Sequence, residues 1–154
     1  MYQLVLLGLE NYDIDVRDVR LHCIETNFIY RVRAVDGRQF ALRLAYPGWR
    51  TGADLKSEGE WVKALERDTD IGAPGIVSTR SGEYVQSLTA PGIPIYWNAL
   101  LMTWVPGRLL AHYLTERNIA KMGRLFAQLH IHGRNWPPPA DLPKTTFTAY
   151  LSRG

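Results

Sequence analysis

Phe28-Ile29-Tyr30-Arg31-Val32-Arg33-Ala34-Val35-Asp36-Gly37-Arg38-Gln39-Phe40-Ala41-Leu42-Arg43-Leu44-Ala45 decides the fold. Two alternating runs flank Asp36-Gly37, a dipeptide suited to a tight hairpin turn. Strand side chains alternate faces, so Phe40, Leu42 and Leu44 share one side and Ala41, Arg43 and Ala45 the other. A large cation thus sits between two small residues. It is either a surface arginine or one that lines a cleft, with Ala41 leaving room for a flat ligand. The stretch that follows offers it a partner. Gly52 to Asp68 has helical spacing, with Leu55, Val62 and Leu65 on one face. At 100° per residue Glu58 falls on that stripe, whereas Glu60 points away. A carboxylate among buried residues should be paired, because burying it alone is costly. Arg43 is the natural partner; the alternative is that Glu58 sits at the edge of the stripe and reaches water.

Outward from this centre, Val19 to Ile24 supplies a third strand. Ile76 to Gln86 predicts a second hairpin turning at Ser81-Gly82. Pro94 to Val105 predicts a buried strand, ended by Pro106-Gly107. Thr115 can cap a helix running to about His132, with Gly133 as its stop and Pro137-Pro138-Pro139 beyond. Strands with one embedded helix indicate an α+β domain built on an antiparallel sheet of about five strands. The lobe boundary is placed at Pro106-Gly107, giving units 1–106 and 107–154.

The 154 residues are 46% hydrophobic, enough for a core. The 18 Lys and Arg residues form no run and the net charge is only +3, so a nucleic-acid partner is not expected. Cys23, the single cysteine, excludes an internal disulfide. The apolar start of the chain is short and runs into acidic residues, unlike a signal peptide or membrane span. A cytoplasmic location without membrane contact is the expectation.

Five segments then fall in a recognisable order: Glu25-Thr26-Asn27-Phe28-Ile29-Tyr30-Arg31-Val32, Phe40-Ala41-Leu42-Arg43-Leu44, the helix from Ser57 to Leu65 with Glu58, Leu100-Leu101-Met102-Thr103-Trp104-Val105-Pro106-Gly107, and Gly123 to His130. Together they resemble the aminoglycoside phosphotransferase superfamily, in wording closest to its homoserine-kinase-type and choline-kinase-like branch. The resemblance implies a protein-kinase-like N-lobe followed by the first helix of a helical C-lobe that is cut short. Arg43 would take the place of the phosphate-binding lysine, where a planar fork suits phosphate oxygens. Glu58 would hold it, and Ala41 would pack on adenine. Met102 to Val105 would be the hinge, the Thr103 carbonyl accepting from the adenine amino group and the Val105 N–H donating to the ring. The turn at Thr26 and Asn27 would cover the phosphates with backbone N–H groups, although it lacks the glycines of a protein-kinase loop. The implied partners are ATP, bound weakly by this lobe alone, and a small-molecule acceptor for the full-length parent.

The family's His-Gly-Asp loop and later metal-binding aspartate have no counterpart. His132-Gly133-Arg134-Asn135 is a near match, but arginine replaces the required carboxylate and the segment ends a helix. No catalytic or metal-ligating residue is therefore assigned, and Mg2+ is expected only with a complete C-lobe. His130 and His132 point to different sides of the helix and do not form a metal pair. Trp61, Trp97 and Trp104 are expected to pack. Three functions compete: the nucleotide-binding part of a phosphotransferase, a non-catalytic kinase-like interaction module, and a basic nucleic-acid-binding domain. An inward charge pair favours the first, and clustered basic residues would favour the third. Apolar residues along the helix 115–132 suggest self-association.

Overall fold

Asp36-Gly37 turns the chain as its composition demands. Gly37 adopts φ 89°, a region open to glycine and strained for other residues. Asp36 accepts from the Arg38 backbone N–H at 2.9 Å. In the computed structural model, which describes residues 1–140 and 142, this turn joins β2 (Asn27–Ala34) to β3 (Gln39–Ala45). They pair antiparallel, with Ile29 opposite Arg43 and Arg31 opposite Ala41. β1 (Val16–Ile24) flanks β2, and β6 (Ile93–Thr103) flanks β3. β4 (Ile76–Val77) and β5 (Val85–Ala90) lie end to end along the far edge of β6. The result is an antiparallel six-stranded sheet, ordered β1-β2-β3-β6-β4 with β5 also on β6.

Each face of the sheet carries a helix. α1 (Tyr2–Leu9) buries Leu4, Val5 and Leu9 in a core with Val32, Phe40, Leu42, Leu44 and Leu101. α2 (Gly52–Asp68) lies against β4, β5 and β6. Its start is fixed by reciprocal bonds: the Asp54 N–H donates to the Thr51 hydroxyl at 3.1 Å, and the Thr51 N–H to the Asp54 carboxylate at 2.9 Å. Such a cap stabilises by about 1 kcal/mol. A short 3-10 turn (Leu110–His112) precedes α3 (Glu116–Asn135), capped by the Thr115 hydroxyl, which accepts from the Asn118 N–H.

Four expectations need correction. The segment 76–86 turns at Ser81-Gly82, but its arms separate and each pairs with β6, which offers a longer edge than either could offer the other. Gly133 does not stop α3, which continues to Asn135 before the proline run. The strand before the hinge is exposed at Pro94, Ile95 and Tyr96 and buried only from Trp97 to Leu101, apart from half-covered Asn98. Glu60 does not point away: it accepts a short hydrogen bond from the Tyr84 hydroxyl. The buried stripe of α2 runs through Gly59, where an added Cβ would stand 2.7 Å from the Tyr84 ring, so the helix is turned toward Tyr84.

Candidate functional site

Arg43 sits mid-strand on β3, on the face opposite the α1 core. Its side chain is only 12% exposed. A guanidinium removed from water in this way must be paired, and two elements pair it. Nη1 donates a short bond to Glu58 Oε1 from α2, and Nε donates to Asn27 Oδ1 at 3.0 Å from the start of β2. The third nitrogen, Nη2, has no hydrogen-bond partner among the described residues. The guanidinium plane is thus held at two points with one nitrogen to spare.

Ala41 lies two residues along the same face, opposite Met102 on β6 and Arg31 on β2. β6 ends at Thr103, where the backbone is spoken for on two sides. The Thr103 N–H donates to the Gly75 carbonyl at 2.8 Å and the Trp104 N–H to the Gln39 carbonyl at 2.9 Å. The Gly75 N–H goes to the Thr103 hydroxyl at 2.7 Å rather than to the Thr103 carbonyl. Val105 follows, exposed, in a segment without regular structure. Arg43, Ala41 and Met102 thus share one face of the sheet, whereas Thr103, opposite Phe40, turns to the other face and Val105 lies beyond the end of β6.

At the other end of β2, Asn27 Nδ2 donates to the Thr26 hydroxyl at 2.9 Å. The Glu25 N–H is already bonded to the Asn27 carbonyl. The family resemblance pointed to the backbone of this turn; the structure adds the Asn27 side chain as a second anchor of Arg43. The signal for it was present, since Asn27 stands two register steps from the Arg43 pair on the same face. A brace at the end of β6 was not foreseen either. The Arg31 guanidinium lies 4.6 Å over the Trp104 ring and donates to the Gln39 side chain, while His22 meets the same indole edge-on.

A family model described as "Phosphotransferase enzyme family" matches residues 25–153. The chain belongs to the phosphotransferase enzyme family. Among relatives of this phosphotransferase-family chain is the uncharacterized protein sll1119 of Synechocystis sp., 28% identical over 152 residues, which span 97% of this chain and 41% of that protein. Two solved structures share the fold. One is a microcompartment-associated aminopropanol kinase, with TM-score 0.81, 24% identity, and coverage of 96% of this chain and 45% of that one. The other is the amicoumacin kinase hAmiN in complex with AMP-PNP, Ca2+ and Ami, with TM-score 0.77, 14% identity, and coverage of 96% and 44%. The chain spans less than half the length of the relatives it matches.

Among the described residues no group of three His, Cys, Asp or Glu side chains comes together to hold a metal ion. No helix of the described residues is long and apolar enough to cross a membrane.

Proposed function

We propose that this chain supplies the nucleotide-facing half of an ATP-dependent phosphotransferase that acts on a hydroxyl of a small molecule. The observation that carries this is Arg43, nearly covered, fixed by Glu58 and Asn27, with Nη2 uncommitted. Phosphoryl transfer is accelerated mainly by positioning and by stabilising charge on the transferred group. A guanidinium locked in one plane offers phosphate oxygens the N–H groups of Nη2 with no further ordering. Adenine would lie against Ala41 and Met102, its amino group donating to the Thr103 carbonyl and its ring accepting from the Val105 N–H. Thr26 and Asn27 would border the phosphates. The lobes would divide at Pro106-Gly107. Placement in the homoserine-kinase-type and choline-kinase-like branch rests on the wording of the motifs. A small-molecule acceptor is in keeping with the names of the two structural relatives.

The described residues do not by themselves fit a magnesium site, and His132-Gly133-Arg134-Asn135 lies within α3 with arginine in place of a carboxylate. These residues bind and orient; they do not activate an acceptor. The 154-residue chain alone is expected to bind ATP at about millimolar affinity or weaker and to transfer no phosphate. NMR titration with ATP tests this. Signals of residues 41–43 and 102–105 should shift, and Arg43→Ala should weaken binding by roughly ten-fold or more, the loss of a charge-assisted contact. Binding unaffected by Arg43→Ala would overturn the assignment. It would favour instead a non-catalytic interaction module, a reading supported by the exposed apolar residues of α3.

A further inference from the structure

α3 has no buried residue, and nearly all its side chains are open to solvent. His132 in its last turn stands apart, its side chain 10% exposed. Both ring nitrogens are engaged by α2. The Trp61 indole N–H donates to Nδ1 at 3.2 Å, and Nε2 lies 3.1 Å from Asp68 Oδ2. An indole nitrogen can only donate, so Nδ1 is the bare nitrogen and Nε2 carries the proton that it donates to Asp68. Trp61 and Asp68 are two turns apart on one face of α2, and the ring spans them.

The same helix carries Glu58, one turn before Trp61. The buried stripe of α2 is Leu55, Gly59, Ala64 and Leu65. With a glycine and an alanine in it, few bulky side chains fix the rotation of the helix. Its N-terminus is pinned by the Thr51–Asp54 cap and its middle by Tyr84. We propose that His132 is a positioning residue for Arg43: as a neutral ring between Trp61 and Asp68 it sets the rotation of α2 and so keeps Glu58 on the guanidinium. Its functional meaning rests on the phosphate-binding role proposed above for Arg43, but the mechanical link exists without nucleotide.

Protonation would place a second N–H on Nδ1, facing the indole N–H. Two donors cannot bond each other, so the Trp61 arm is lost while the Asp68 arm gains charge. The other charged or titratable groups nearby are Arg67, which pairs with Asp68, Asp70 across a cleft of about 470 Å³ beside the ring, and His130 and Arg134 on the far side of Trp61.

NMR of the whole chain reads this link directly, through the Trp61 indole N–H, assigned with Trp61→Phe, and the Arg43 Nε–H. Acidification that protonates His132 should move both signals together. His132→Asn puts a non-titrating amide oxygen where Nδ1 accepts, and should hold both signals at their neutral-pH positions. His132→Ala should displace both at every pH and weaken ATP binding roughly five-fold, with His132→Asn restoring it. If His132→Ala does not fold, the wild-type titration against His132→Asn gives the same answer. An Arg43 signal that ignores the state of His132, or that follows pH equally in His132→Asn, overturns the proposal. If the two signals move together while ATP binds without touching Arg43, the link stands and the nucleotide role of Arg43 fails.

Discussion

Changing Glu58 to glutamine keeps the shape of the side chain and one acceptor oxygen and removes only the charge facing Arg43. The loss can be bracketed from exposure. A charge-assisted hydrogen bond contributes about 1.5–3 kcal/mol, and an exposed ion pair about 0–1 kcal/mol. Arg43 is 12% exposed but Glu58 is 36% exposed, which screens the pair and places it near the junction of the two ranges, at about 1 kcal/mol. With a urea slope of about 2 kcal/mol/M for a chain of this size, the unfolding midpoint should fall by about 0.5 M. Asn27→Ala removes the other anchor, 3.0 Å from Nε, and should cost a similar amount. Because both act on one guanidinium, the double variant should depart from additivity by about 0.5 kcal/mol or more. Urea titrations of the four proteins, followed by circular dichroism, supply the cycle. A wild-type midpoint for Glu58→Gln, together with strict additivity, would refute the idea that these two side chains jointly hold Arg43.

Gly59→Ala should destabilise, because its Cβ would meet the Tyr84 ring at 2.7 Å and overpacking costs about 1–3 kcal/mol. Gly123→Ala on α3 meets nothing within 4 Å and should gain up to about 1 kcal/mol of helix propensity; thermal melts moving in the same direction would contradict the packing of α2. The Arg67 guanidinium, and after it the His132 ring, hold the Asp68 carboxyl down at about 2. A lowered carboxylate contributes stability above its unfolded value, about 3.9, that disappears as pH falls toward the folded one, so the Asp68 tie to α3 should persist to about pH 4 and vanish between 4 and 2; an NMR titration midpoint near 4 would disprove it. Ile119, Met122, Leu125, Phe126 and Ile131 of α3 are exposed, and the chain is expected to self-associate through them. Light scattering should show mass rising with concentration and Phe126→Glu abolishing the rise, whereas a wild-type monomer at high concentration counts against it.

Much of the fold was legible because local signals agreed with the tertiary outcome. Asp36-Gly37 placed one turn, and the Leu55–Leu65 spacing gave α2 its bounds. Glu58 was found because a charge on an apolar stripe demands a partner. α1 was not foreseen: Tyr2-Gln3-Leu4-Val5-Leu6-Leu7-Gly8-Leu9 is apolar on nearly every side, so it has no polar stripe from which a helical period could be read. The separation of β4 from β5 was invisible for another reason. A turn signal says that the chain reverses, not which strand will take its edges. His132 acts through contacts across 64 and 71 residues, and no local pattern encodes such distances.

β6 closes the sheet, and this has a consequence for a chain emerging from the ribosome. β1, β2 and β3 can zip together early, being joined by short turns. The outer edge of β3, and the strands β4 and β5, pair only with β6 among the described residues. Phe40 waits for Thr103, and at about 5–20 residues per second the stretch between Ala45 and Thr103 takes roughly 3–12 s to synthesise. Throughout that interval Phe40-Ala41-Leu42-Arg43-Leu44-Ala45 presents an unpaired, β-prone edge, the kind that recruits a neighbouring nascent chain. The charge at Arg43, in the middle of that edge, is its one gatekeeper against such pairing. The residue assigned to phosphate would thus also guard the strand before there is a site to serve.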